Sequence, residues 1–280
     1  MDKPPSTARK MPPSPADPLA PFKDELRPYF PSKDALLKEA RVYRQGRSRT
    51  IKAVAALALA FSALWLADPA WQTEHLATRI GERSEWTLRD GTRIQLNTAS
   101  ALVVENHLRS RRLRLEQGEA MFTVAHGWRS FVVAAAGAEI RDIGTVFNVR
   151  RDGATVSVAV VQGAVEVTPR AGNRGTLLAG GQAMSVSAGQ LGVPAGFGAD
   201  IVAWADGKLV LDGTPLRQVV AEMQRYRRAP IRLRDDRAGN LRLSGEYRIN
   251  DMESLVDALP DILPVSMTRA ADGAIDISSR

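Results

Sequence analysis

The sequence predicts a bitopic membrane protein with a single span, followed by an all-β domain (a sandwich, jelly roll or solenoid) and then by a small α+β domain of βαβ-βαβ order. Three observations predict this class. Residues 53–67, AVAALALAFSALWLA, carry no charge. Residues 84–186 alternate apolar and polar positions in short runs separated by glycine turns, and no helical period persists there. Residues 204–280 alternate strand-like with helix-like runs.

Residues 1–52 form the first segment. Seven prolines stand among Ser, Ala and Asp in residues 1–21, a composition that buries too little apolar surface to offset chain entropy, so this arm is expected to be disordered. Ser32 then reads as an N-cap before a helix of about three turns, with Leu36, Leu37, Ala40 and Tyr43 on one stripe. So short a helix is marginal alone in water. The stripe has two readings, a juxtamembrane stalk or a segment that folds on a partner.

The apolar run at about 1.5 Å per residue covers ~22 Å against a hydrocarbon core of ~30 Å, so a span at residues 53–67 must borrow Ile51, let Lys52 snorkel or thin the bilayer. Arg41, Arg44, Arg47, Arg49 and Lys52 precede it, Asp68 and Glu74 follow it, and Trp65 and Trp71 stand where an aromatic belt would lie. The positive-inside rule places the N-terminus in the cytoplasm. A cleaved signal peptide fits less well, because 52 residues precede the run and no small-x-small site closes it. Twelve Lys/Arg and six Asp/Glu lie at or before Lys52, so most of the net +7 belongs to this tail. Topology and anionic headgroups account for it better than nucleic acid does. With no cysteine, the extracytoplasmic part is held by its core alone.

In residues 84–186 the pairs Asp90-Gly91, Gln117-Gly118, Asp152-Gly153, Gln162-Gly163 and Gly180-Gly181 separate strand-like runs. Each offers the positive φ of a tight hairpin. The inward positions are read as Ile94, Leu96, Leu102, Leu113, Leu115, Phe122, Val124, Val132, Ile140, Phe147 and Val149, then Val156, Val158, Val165 and Val167. Residues 187–203 are glycine-rich without periodicity and read as a linker.

Past residue 204, Lys208-Leu-Val-Leu211 is strand-like, and Thr214-Pro215 opens a helix lined by Leu216, Val219, Val220 and Met223. Ile231 and Leu233 alternate as a strand. Leu241, Leu243 and Tyr247 suggest another, and Asn250 with Glu253 forms a capping box for a helix lined by Met252, Leu255, Val256 and Leu259 and stopped by Pro260. Val265, Met267, Ile275 and Ile277 close the unit around Asp272-Gly273.

Asp90-Gly-Thr, Leu96-Asn97, Ser100, Arg112 with Leu113 and Leu115, Gly118-Glu-Ala-Met-Phe122, Phe131-Val-Val, Gly144-Thr-Val-Phe-Asn-Val-Arg150, Gly163-Ala-Val and Gly181-Gln182 fall in one order. In that order they resemble the periplasmic domain of the FecR family, membrane-spanning regulators that relay the loading state of a TonB-dependent outer-membrane transporter to a cytoplasmic sigma factor. The last domain resembles, by layout and by Gly213-Thr-Pro-Leu216, the short secretin and TonB N-terminal (STN) domain. The resemblance implies an anti-sigma factor or sigma regulator in the bacterial inner membrane, with iron or siderophore uptake as its setting. Its partners would be an extracytoplasmic-function sigma factor, docking on Leu36, Leu37, Ala40 and Tyr43, and the signalling domain of a transporter, pairing with a strand edge at Ile275, Asp276, Ile277 and Ser278. It also implies self-cleavage at Gly144-Thr145, for which the plain alternative is a β-bulge followed by an ordinary strand residue. Unlike the family's tryptophan-bearing cytoplasmic domain, the tail here reaches Trp65 before its first tryptophan.

No other enzyme constellation competes. His75, His107 and His126 have no metal-ligand spacing, and Glu116, Glu119 and Glu139 form no convincing carboxylate pair, so no metal and no cofactor are expected. Two other function classes remain: a membrane-anchored periplasmic scaffold that does not signal inward, and a membrane-bound DNA-binding regulator. The tail has room for one good helix only, which disfavours the second.

Overall fold

The computed structural model describes Pro28, residues 32–170, Gly172 and residues 174–280, without the side chains of residues 40–51. The arm expected to be disordered and the Ala40 and Tyr43 side chains lie outside the described residues. The chain divides into two units, Met1–Leu66 and Ala67–Arg280.

Among its described residues the first unit holds one α-helix, α1 (Lys33–Ala67), where the sequence suggested a short helix and a separate span. Alanine, leucine, lysine and arginine, all good helix formers, carry it through Gly46. Ser32 caps it as expected, accepting from the Ala35 N–H at 3.2 Å. Asp68, at φ +41°, and Pro69 end it. Leu36 and Leu37 are about half exposed, and residues 53–67 are exposed throughout. Among the described residues no helix is long and apolar enough to cross a membrane. The expected span is therefore not met at full length, its apolar run falling ~8 Å short of the hydrocarbon core.

The second unit begins with one sheet of fourteen strands. They are β1 (Ala70–Ala77), β2 (Ser84–Thr87), β3 (Arg93–Leu96), β4 (Ala101–His107), β5 (Ser110–Thr123), β6 (Ser130–Ala135) and β7 (Ala138–Asp142). Then come β8 (Val146–Asp152), β9 (Thr155–Gln162), β10 (Ala164–Pro169), β11 (Thr176–Ala179), β12 (Gln182–Ser187), β13 (Gln190–Leu191) and β14 (Ala195–Gly196). The sheet curls into a nearly closed, barrel-like shell, a more closed form than the sandwich or solenoid considered from sequence. One layer runs β1-β4-β5-β6-β7-β10-β11 and the other β2-β3-β5-β8-β9-β12.

The layers share β5. Its first half pairs with β4 and β6, and its second half, past Gly118, pairs with β3 and β8. Gln117-Gly118 is thus a bend within one strand and not a hairpin. Gly118 takes φ +80°, and a Cβ on it would lie 2.6 Å from the Ser100 Cα, so only glycine lets the bend seat on β4. Because the second half returns through the other layer, β6 starts at the end where β5 began. That explains why β5–β6 is parallel in an otherwise antiparallel sheet. Gln162-Gly163 and Gly180-Gly181 are likewise corners between layers, joined by the Gly180 N–H to the Gly163 carbonyl at 2.9 Å.

Between the layers lies one core, with Phe122, Phe131 and Phe147 in mutual ring contact. The expected inward positions are buried except Val132. The run Phe131-Val132-Val133 does not fix its own phase, and the aromatic cluster selects Phe131 and Val133.

The expected linker carries β13, β14 and two 3-10 turns, Ala199–Ile201 and Ala203–Asp206. After it come β15 (Lys208–Pro215), α2 (Leu216–Arg225), β16 (Ile231–Leu233), α3 (Asp236–Asn240), β17 (Arg242–Arg248), α4 (Met252–Ile262), β18 (Val265–Arg269) and β19 (Ile275–Ser279). The predicted α+β order holds, with α3 added, capped by Asp235 accepting from the Ala238 N–H at 2.7 Å. Pro260 does not stop α4, which runs one further turn to a Leu263 N–H to Leu259 carbonyl bond at 2.9 Å. The expected capping box is replaced by longer contacts: Glu253 accepts from Arg227 and Arg269, and Asn250 accepts from Arg83.

Gly118 supplies a test of the bend. Gly118→Ala adds a backbone clash to the cost of a positive φ, whereas Gly137→Ala, at φ +87° with open space around it, adds only the latter. Denaturant unfolding should show about 1–2 kcal/mol lost at Gly137 and clearly more at Gly118.

Candidate functional site

Strand alternation sends the β5 and β8 motifs to two destinations. In Gly118-Glu-Ala-Met-Phe122, Ala120 and Phe122 enter the barrel core, while Met121 packs into the second core beside Trp204, Leu209 and Val219. Along β8, Phe147 and Val149 point inward, and Val146, Asn148 and Arg150 point to the C-terminal region. One face of each motif builds the barrel. The other holds the C-terminal region against it.

At the centre of that contact lies the Glu119 carboxylate, 2% exposed as a residue. One oxygen accepts from Asn97 Nδ2 at 2.8 Å and from the Arg225 guanidinium at 2.6 Å, and the other accepts from Asn148 Nδ2 at 2.9 Å. Asn97 also donates to the Tyr226 hydroxyl at 2.9 Å, and Trp204 Nε1 donates to Asn148 Oδ1 at 3.3 Å. Ser100 supports the group from behind, its hydroxyl accepting from the Glu119 N–H at 2.9 Å. Around it, Thr98 donates to the Arg225 carbonyl, Arg83 donates to the Trp204 carbonyl, and Arg150 pairs with Glu222.

A buried carboxylate costs several kcal/mol of lost hydration unless it is paired and fully hydrogen-bonded. Here both conditions are met. Burial works against the Arg225 charge, but Glu119 and Glu222 outweigh it and hold the guanidinium above its ordinary value. Burial also pushes the Tyr226 hydroxyl up to about 12, so it stays neutral throughout the physiological range.

Beside this node a cleft of about 620 Å³ opens between the outer face of β9 and strand β15. Arg150, Asp152, Lys208 and Glu222 line it with both signs of charge. Among the described residues no group of three His, Asp or Glu side chains could hold a metal ion.

The second candidate site is Gly144-Thr145, between β7 and β8. Thr145 is buried, and its hydroxyl donates to Asp142 Oδ1, while the other Asp142 oxygen accepts from the Gly144 N–H at 3.0 Å. Gly144 takes φ +95°, and a Cβ there would lie 3.3 Å from His126 Nε2. Gly163 leaves room for the Gly144 carbonyl, since a Cβ on it would fall 2.3 Å from that oxygen. Sequence reading found the dipeptide without the carboxylate beside it. Asp142 lies two residues before Gly144, the spacing at which an aspartate accepts from a backbone N–H in a side-chain turn, and that was the available signal.

The other sequence-derived sites fare unequally. Leu36 and Leu37 are about half exposed on α1, and the Ala40 and Tyr43 side chains lie outside the described residues. Ile275, Asp276, Ile277 and Ser278 offer no sheet edge: β19 lies between β16, to which it is parallel, and β18, to which it is antiparallel, and Ile275 and Ile277 are fully buried. A terminal strand in sequence is here a central strand in space. Arg225, Tyr226 and Trp204 escaped the sequence reading because nothing local links them to Glu119.

Residues 74–166 match the family model described as FecR protein, and the span includes Asn97, Ser100, Glu119, Asn148, Gly144-Thr145 and Gly163. Two crystal structures of candidate anti-sigma factors from Parabacteroides distasonis are similar in fold. One has a TM-score of 0.62 at 22% identity, covering 75% of this chain and 100% of its own. The other has a TM-score of 0.60 at 23% identity, covering 74% and 99%. No curated protein matches the sequence.

Removing the guanidinium strands a buried carboxylate. Arg225→Met should lower unfolding free energy by about 3–5 kcal/mol and expose residues 199–207 to protease, whereas exposed Arg234→Met should change stability by less than about 1 kcal/mol.

Proposed function

We propose that this chain regulates an extracytoplasmic-function sigma factor from the bacterial inner membrane. In this reading residues 1–52 are cytoplasmic, α1 anchors the chain, and the folded unit stands in the periplasm and receives the loading state of a TonB-dependent outer-membrane transporter, in the setting of iron or siderophore uptake. The observation that carries the reading is the FecR match together with what its residues do: Asn97, Ser100, Glu119 and Asn148 hold the C-terminal region on the barrel. A signal received on that region is thereby coupled to the domain joined to the anchor. The apolar run supports anchoring, since residues 53–67 are exposed among the described residues. The fold relationship to candidate anti-sigma factors supports a sigma factor as partner. The C-terminal α+β region, STN-like in layout, is the part assigned to the transporter.

Self-cleavage is a second activity, favoured by the Asp142 contact. The Asp142 carboxylate takes the Thr145 hydroxyl proton as Oγ1 attacks the Gly144 carbonyl carbon, forming a five-membered ring. The Gly144–Thr145 C–N bond then breaks, the nitrogen takes a proton, and an ester links Gly144 to Oγ1. Water hydrolyses the ester to a Gly144 carboxylate and a free Thr145 amine. The pieces stay together because β7 and β8 belong to one sheet around one core.

Two measurements test these readings. The sigma factor that co-purifies with the full chain should be lost on Leu37→Asp, because a carboxylate in an apolar groove costs several kcal/mol, more than about a hundredfold in affinity. Unchanged co-purification makes the helix a stalk, and the absence of any sigma factor favours the scaffold. On denaturing gels wild type and Thr145→Ser should give two fragments cut before residue 145, Thr145→Ala only intact chain, and Asp142→Asn slowed cutting. Intact wild-type chain would leave Gly144-Thr145 as a structural turn.

A further inference from the structure

The barrel end at which β1 begins is unusually apolar for a surface. Strand register places the start of β1, the turn before β5, the loop before β6 and the loop after β7 at one end of the sheet, since Ala70 faces His107, Ser110 faces Ser130 and Val132 faces Arg141. Four large apolar side chains project there: Trp71 (59% exposed), Leu108 (40%), Trp128 (76%) and Ile143 (59%). Arg89, next to the Asp90 that pairs with Arg111, and Arg129, in the loop before β6, lie at this end too. The acidic groups of this end are turned to other uses. Asp68 accepts from the Arg109 N–H at 2.7 Å and the Ser110 hydroxyl at 2.6 Å, Asp90 pairs with Arg111, and Asp142 holds Gly144 and Thr145.

Chain continuity says what this end meets. Ala67 is the last residue of the apolar helix, Asp68 is already clasped to the barrel, and Ala70 begins β1, so no spacer separates the apolar run from the folded unit. Consecutive Cα atoms are ~3.8 Å apart, which leaves no more than about 11 Å between the helix end and the first strand. If α1 inserts, the barrel end must lie in the headgroup layer. Tryptophan, leucine and arginine are the side chains that suit that layer.

We propose that this end of the barrel is a membrane-seating surface, with Trp128, Leu108, Ile143 and Trp71 in the interface of an anionic phospholipid bilayer and the arginines against its phosphates. The inference rests on the anchoring reading and adds to it a second, independent lipid contact. It also places Gly144-Thr145 beside the bilayer. An apolar helix shorter than the hydrocarbon core draws the domain onto the surface, which matches the missing spacer.

The test uses the full chain reconstituted in phosphatidylcholine–phosphatidylglycerol vesicles containing lipids brominated near the headgroup or deep in the chains. Difference spectra between wild type and Trp128→Phe isolate Trp128 emission, and those with Trp65→Phe isolate Trp65. Seating predicts that Trp128 emits at shorter wavelength than a tryptophan exposed to buffer and loses most of its intensity to the shallow bromolipid. Loss of Trp65 emission to the shallow bromolipid, at the belt depth where an inserted α1 would hold it, reports the anchor separately. Quenched Trp65 with unquenched, acrylamide-accessible Trp128 overturns the seating surface and leaves the anchor standing. Quenched Trp128 with unquenched Trp65 supports the surface and overturns insertion. If neither is quenched, both fail.

Discussion

The buried Glu119 carboxylate is the constraint on which the second unit depends. A charge at this depth is tolerable only if its lone pairs are met, and three separate elements meet them: Asn97 after β3, Asn148 in β8 and Arg225 at the end of α2. The first two belong to the barrel and the third to the C-terminal region. Neither part alone can satisfy the group, so the cost of burial makes each depend on the other. The bend at Gly118 puts Glu119 there, and the seating of that bend against Ser100 fixes the height at which the carboxylate leaves the strand.

This arrangement explains what the polar residues set into these strands do. A strand with period two can serve two cores, and β5 does so with Phe122 on one side and Met121 on the other. The polar members, Asn97, Glu119 and Asn148, are not a catalytic set despite their convergence. Both carboxylate oxygens are hydrogen-bonded, and Tyr226 remains neutral beside them. Asp142 is different. Its partner is a hydroxyl next to a peptide carbonyl, the contact on which the proposed cleavage rests.

Much of the fold was legible because its causes are local. Ser32 announces a cap, period-two runs announce Ile94 and Leu96 or Val156 and Val158 as inward pairs, and Asp152-Gly153 announces a hairpin. What escaped has non-local causes. The phase of Phe131-Val132-Val133 is set by Phe122 and Phe147, the interior position of β19 by its parallel pairing to β16, and the bend at Gly118 by Ser100, eighteen residues away. The partner of Glu119 lies 106 residues along the chain, and no spacing rule connects them. The Gly144-Thr145 dipeptide was visible, but its carboxylate becomes meaningful only once the turn is folded.

Glu119 and Arg225 couple the barrel to the C-terminal region. A double-mutant cycle on the full chain, with Glu119→Gln, Arg225→Met and both together, measures that coupling by denaturant unfolding. The double variant should be more stable than the sum of the single losses implies, by about 1.5–3 kcal/mol, because removing both partners leaves no stranded charge. Losses that add to within about 0.5 kcal/mol would contradict it and show that the two parts are held by apolar packing alone.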